Sequence, residues 1–161
     1  PMMVGTFLER ECVVARATAG TKRQVLQLAA DVAARRFGID AGEALDGLLA
    51  RERAGSTGVG LGVAAPHAHL TGLDRLRGVF IRLEQPVAFE AVDDQPVDLV
   101  FALFSPKGGE GGHLQALAKA SRLLRNAPLR AQLRQARSAD AIIALLADDA
   151  QAPRLDSPVN A

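Results

Sequence analysis

The sequence predicts an α/β layered fold in which a small sheet is covered by helices on both faces. Three observations predict it. Apolar residues recur at helical spacing between residues 21 and 53, the period shortens toward two between 78 and 106, and the helical period returns after residue 111. Helices, then strands, then helices within 161 residues leave room for one domain with a substantial core.

The first helix opens at Thr21, where Gln24 three residues on completes a capping box. Val25, Leu28, Ala29 and Val32 form its apolar stripe and Gly38 stops it. Asp40 and Glu43 start a second helix, which carries Leu45, Leu48 and Leu49 and ends near Arg53. A glycine-rich stretch comes next, and "VAAPHAHL" reads as a short apolar strand ending at Pro66 and His67. In "RGVFIRLEQPVAF", Val79, Ile81 and Leu83 alternate with Phe80 and Arg82, and Gln85-Pro86 interrupts. Two strands or one bent strand are predicted there. "VDLVFALFSP", residues 97 to 106, is almost wholly apolar, as a central strand buried on both faces would be.

Three helices complete the domain. One opens near His113 with Leu117, Ala120 and Leu124, and one starts at Pro128 with Leu129 and Leu133. The last begins at Ser138 with Ile142, Ile143 and Leu146. From Asp148 the chain turns polar and proline-bearing. The expected organisation is a single domain over 1–147 and a flexible tail over 148–161.

Composition narrows the function. Nineteen basic against eighteen acidic residues give a formal charge of +1, and there is no Trp or Tyr, so the basic footprint and stacking platforms of a nucleic-acid binder are missing. The local cluster Arg122, Arg125, Arg130, Arg134 and Arg137 reads as a solvated helical face in preference to a docking patch. Cys12, the one cysteine, suits a reducing compartment and reads as a small buried hydrophobe. "PMMVGTFLERE" does not have the pattern of a secretory signal, and no apolar run approaches membrane-spanning length. A soluble, cytoplasmic protein with no membrane insertion is expected.

Residues 55 to 70, "GSTGVGLGVAAPHAHL", hold four glycines and two of the three histidines. Gly60-x-Gly62-x-x-Ala65 matches a loose dinucleotide-binding pattern, but no strand is clearly read before it and Pro66-His67 stands where a helix should open. A tight loop that positions the histidines beyond it is the preferred reading. Pro66 stiffens the backbone just before His67, and in extended chain His67 and His69 project to one face. Two chemistries compete with ordinary loop histidines. His67, His69 and His113 could gather zinc or iron as in a metal-dependent hydrolase, although no carboxylate in the segment would orient the rings. Alternatively His67 is a nucleophile for a phosphoryl group, for which a neutral imidazole is well suited near pH 7. Glycine-loop N–H groups, an arginine and the helix start at His113 would then surround the phosphoryl oxygens.

The text from Arg51 to His67, "RERAGSTGVGLGVAAPH", resembles the active-site segment of enzyme IIA proteins of the mannitol/fructose class of the bacterial phosphotransferase system. "LEQPVAFEAVDDQPVDLVFALFSP" is similar to the nitrogen-type, stand-alone regulatory member, and "HLQALAKASRLL" matches the family's second histidine and its helix. The resemblance runs from about Phe7 to Leu146. It implies a mixed sheet with helices on both sides and no metal or organic cofactor. It further implies that His67 takes a phosphoryl group from an HPr-type carrier, with His113 supporting the site. Arg51 would approach the phosphoryl oxygens, and Ser56 and Thr57 would line the pocket. A phosphotransferase component of this kind either signals to regulatory protein targets, the preferred reading here, or passes phosphate to an enzyme IIB of sugar transport. The chain departs from the family at three positions: Leu61 replaces a common Asn, and Ala68 and His69 replace Gly followed by Lys or Arg. His69 thereby exchanges a constant cation for one that titrates.

Overall fold

The computed structural model describes residues 2–108 and 112–149. Two 3₁₀ turns, Val4–Thr6 and Arg10–Cys12, lead into strand β1 (Val13–Ala17), which sequence periodicity does not reveal. Helices α1 (Lys22–Phe37) and α2 (Ala41–Arg53) follow. Strands β2 (Gly58–Gly60), β3 (Val63–Ala64), β4 (His67–Leu70), β5 (Arg77–Val87) and β6 (Val97–Pro106) come next, then helices α3 (Gly112–Arg125), α4 (Ala127–Gln135) and α5 (Ala139–Asp149). The last helix reaches Asp149, two residues past the expected boundary; the rest of the expected tail, 150–161, lies outside the described residues.

Local signals act as expected. The Thr21 side chain accepts from Gln24 N, Asp40 accepts from Glu43 N, and Gly38 closes α1 in the left-handed region at φ 73°. Helix α4 differs by one position: Asn126 caps it by accepting from Leu129 N, so Pro128 occupies the second position of the helix.

The six strands form one mixed sheet in the order β1-β5-β6-β3-β2, with β4 also paired to β6. Strand β6 is its centre. Every residue from Leu99 to Phe104 is fully buried, as a strand covered on both faces must be. Strand β5 runs antiparallel to it as one strand, and the ladder is irregular between Arg82 and Val87. Pro86 lies in that gap and has no N–H to contribute to the ladder.

Strands β3 and β4 lie end to end along the other edge of β6, both parallel to it. Pro66 separates them, and its carbonyl accepts from Leu103 N at 2.9 Å. His67 therefore opens β4, whereas the sequence suggested that it ends the preceding strand. Ala68 and Leu70 point into the core, where a Cβ at Gly47 of α2 would meet them at 3.0 and 3.4 Å. Gly47 thus lets α2 sit close against β4, one helical turn before Arg51.

The glycine-rich segment is a hairpin of β2 and β3 instead of a cofactor loop. Gly60 pairs with Val63, and the two residues between them, Leu61 (φ 63°) and Gly62 (φ 78°), both have positive φ, as a two-residue hairpin turn of the primed type requires. A side chain on Gly62 would strike the Arg134 guanidinium. Arg134 pairs with Asp98 and donates to the Leu61 carbonyl, while Arg130 donates to Leu124 O and Arg137 to Arg134 O. Three of the five clustered arginines are thus structural braces. Cys12 is 1% exposed, and burial pushes its thiol up. No helix among the described residues is long and apolar enough to cross a membrane.

Candidate functional site

Three imidazoles meet at the edge of the sheet, and the strand register brings them together. His67 and His69 lie on the same face of β4, and His69 is paired with Ser105 on β6. Ser105 is buried, and its Oγ shares a 2.5 Å hydrogen bond with His113 Nδ1 at the start of α3. The His113 ring thereby stands between the other two, with ring centroids 5.2 Å from His67 and 4.7 Å from His69. His67 and His113 are half-buried; His69 is exposed.

The hydrogen bonds of His67 select its tautomer. The Ala65 carbonyl lies 3.1 Å from Nδ1 and can only accept, so Nδ1 carries the proton. Arg51 Nε donates to Nε2 at 3.1 Å, so Nε2 presents its lone pair. Both bonds are met by one neutral ring. Burial depresses the basicity of His67, opposed by the Ala65 bond and reinforced by the charges of Arg51 and His69. His113 is pushed down to about 4, first by burial and then by the two neighbouring imidazoles. Near pH 7 His67 and His113 are both neutral, and His67 Nε2 is a nucleophilic nitrogen beside a permanent cation.

Arg51 comes from the last turn of α2, and its Nη1 also donates to the Gly55 carbonyl at 2.7 Å. The next residue anchors the loop. Glu52 is buried; its Oε2 accepts from Thr57 N at 2.9 Å and Lys22 Nζ at 3.0 Å, and its Oε1 from Thr57 Oγ1 at 2.6 Å. The Ser56 hydroxyl donates to the Phe89 carbonyl and accepts from Gly58 N. The hydroxyl protons of Ser56 and Thr57 are therefore directed into the framework that holds Arg51, and the hydrogen bonds of neither residue join His67.

Of the residues singled out from the sequence, Arg51, His67, His69 and His113 converge. Glu52, Ser105 and the Ala65 carbonyl are additions that only the structure makes. Ser105 does leave a trace, as the only hydroxyl in an almost wholly apolar run; Glu52 looks like any charged residue near a helix end. As for a metal, no three His, Cys, Asp or Glu side chains among the described residues are arranged to hold one. The reason is geometric: His67 Nε2 faces an arginine N–H and His113 Nδ1 faces Ser105.

A family model described as "Phosphoenolpyruvate-dependent sugar phosphotransferase system, EIIA 2" matches residues 6–149. The nitrogen regulatory protein of Bradyrhizobium diazoefficiens is 41% identical over 146 residues, covering 91% of this chain and 95% of that protein. The crystal structure of nitrogen regulatory protein IIA-Ntr from Neisseria meningitidis superposes with a TM-score of 0.83 at 34% identity, over 89% of this chain and 98% of the other. The Escherichia coli mannitol enzyme IIA, solved in complex with phosphorylated enzyme IIB, shares the fold at a TM-score of 0.74 and 19% identity, over 88% of this chain and 99% of the other. With the family pattern spanning nearly the whole domain and the imidazole cluster in place within it, the chain belongs to the EIIA 2 family of the phosphoenolpyruvate-dependent sugar phosphotransferase system.

Proposed function

We propose that His67 Nε2 accepts a phosphoryl group from the phosphohistidine of an HPr-type carrier, and that the chain acts as a nitrogen-type regulatory enzyme IIA. The observation that carries this reading is the pair of bonds on His67, which leaves a lone pair on Nε2 and a proton on Nδ1. In the step, the Nε2 lone pair forms a bond to phosphorus while the donor's N–P bond breaks, and the donor imidazole leaves with the electron pair. Nδ1–H stays on His67, so the phosphorylated ring gains positive charge beside the Ala65 carbonyl, which stabilises it. Arg51 Nε rests on the attacking lone pair, so the guanidinium must release Nε2 and move onto a phosphoryl oxygen. It thereby shields the nucleophile at rest and binds the charge that arrives. His113, neutral at rest, supports the phosphoryl group from the other side.

The nitrogen-type role rests on the relatives at 41% and 34% identity, both described as nitrogen regulatory proteins. Phosphorylation places roughly two negative charges beside His67, enough to change which protein surfaces dock there. A second reading, transport relay to an enzyme IIB in the cytoplasm, draws on the mannitol neighbour. It uses the same phosphohistidine and differs only in the acceptor.

The test is incubation with the phosphoenolpyruvate-dependent donor chain. Acid-labile, base-stable label on His67, absent in His67→Gln, is the expected result. No label on the wild-type chain, or full labelling of His67→Gln, overturns the assignment. Rapid loss of that label to a fructose- or mannitol-type enzyme IIB would favour the transport role over the regulatory one.

A further inference from the structure

We infer that the groove between α3 and the first 3₁₀ turn is a second anion site, which takes a small dianion such as a phosphate monoester or a short dicarboxylate. It shares no residue with the imidazole cluster. The groove, about 570 Å³, is lined by Met2, Met3, Thr6, Gln115, Lys119 and Arg122, together with Ala118. That volume lies within the ordinary range for sites that bind small molecules.

Lys119 carries the inference. It is only 6% exposed, and among the described residues it makes no hydrogen bond or ion pair. Lysines this deeply buried are almost always paired, because an ammonium with unmet donors is costly to bury. Arg122 follows three residues later on the same helix face and is likewise without a partner among the described residues. No carboxylate appears among the described residues that line the groove. One buried ammonium without a partner among the described residues and one exposed guanidinium therefore face one concavity, and a ligand with two negative charges would engage both. Gln115 and Thr6 add neutral hydrogen-bonding groups, and Met2 and Met3 supply an adaptable apolar wall for a short carbon skeleton. The contrast with Arg134 is instructive: that arginine is satisfied by Asp98 and the Leu61 carbonyl, and its surroundings call for no ligand.

The test is a titration of the full chain with inorganic phosphate and, separately, with succinate, followed by amide chemical shifts at low ionic strength. Saturable shifts are expected at Met3, Thr6, Gln115, Ala118 and Arg122 with at least one probe, and the tighter probe identifies the headgroup. Arg122→Gln, at an exposed position, should weaken that binding about tenfold or more, the ordinary effect of losing a hydrogen bond to a charged group. Lys119→Met, which keeps the buried stem, should do at least as much. Arg51→Gln should leave it unchanged, which separates this site from the one at His67. Shifts confined to residues 51–67, equal affinity in Arg122→Gln, or no shifts at tens of millimolar of either probe would overturn the inference.

Discussion

Replacing Glu52 tests how the phosphoryl-accepting site is held together. The two oxygens have different duties: Oε2 serves both Thr57 N and Lys22 Nζ, whereas Oε1 serves only the Thr57 hydroxyl. In Glu52→Gln the amide oxygen can take the Oε2 position and keep both of those donors. The NH₂ then faces the Thr57 hydroxyl, which rotates to accept it. Only the charge is lost, and the side chain of Lys22 still reaches Glu90 at 2.8 Å. The expected cost is about 1–2 kcal/mol for weakened charge-assisted bonding. Glu52→Ala removes every acceptor and strands the N–H of Thr57, a residue only 4% exposed. Breaking a buried pair in this way costs about 3–5 kcal/mol. Urea denaturation at pH 7 should resolve the two, with m unchanged. For a chain of this size the midpoint temperatures should fall by about 4 °C and about 10 °C, at roughly 2–4 °C per kcal/mol. Equal losses in the two variants, or a loss below about 1 kcal/mol in Glu52→Ala, would falsify the division of labour between the oxygens.

The remaining predictions concern protonation and backbone strain. His113 holds its proton less tightly when folded, at about 4 against an ordinary 6.5, so between those pH values the unfolded chain binds the extra proton. Its contribution to stability is complete above pH 6.5 and lost as pH falls toward 4; His67, also depressed, acts in the same direction. Denaturation midpoints measured from pH 7 to 5 should decline, and His113→Gln should flatten that decline. An identical slope in the variant would refute the assignment. Leu61 occupies a left-handed turn position that costs a branched side chain about 1 kcal/mol relative to Asn. Leu61→Asn should therefore raise the thermal midpoint by about 2–4 °C. A lower midpoint would show that the exposed Leu61 side chain contributes more than its backbone strain costs.

Much of the architecture is legible locally. Helix starts at Thr21 and Asp40 and the stop at Gly38 depend on bonds within four residues, so sequence spacing alone predicts them. The buried strand at 97–106 is legible for a related reason: only a segment covered on both faces tolerates so unbroken an apolar run. Strand β1 leaves no such signal because it is short and its pairing with β5 spans more than sixty residues. Pro66 resembles the end of a strand when it is the break between two, since only the parallel partner β6 reveals that pairing resumes at His67.

The candidate site divides the same way. His67, His69 and His113 stand out as residue types able to do the chemistry, and a family pattern ranks them. What spacing cannot supply is the proton on Nδ1 and the lone pair on Nε2, because these depend on a carbonyl and a guanidinium held by different elements. Ser105 joins the cluster only through the register of β4 on β6, and Glu52 only because α2 ends where Lys22 and Thr57 can reach it. Periodicity and capping are short-range physics, written into consecutive residues. Tautomer, basicity and the pairing of buried charges depend on which distant groups the packed sheet and helices bring within about 3 Å, the reach of a hydrogen bond.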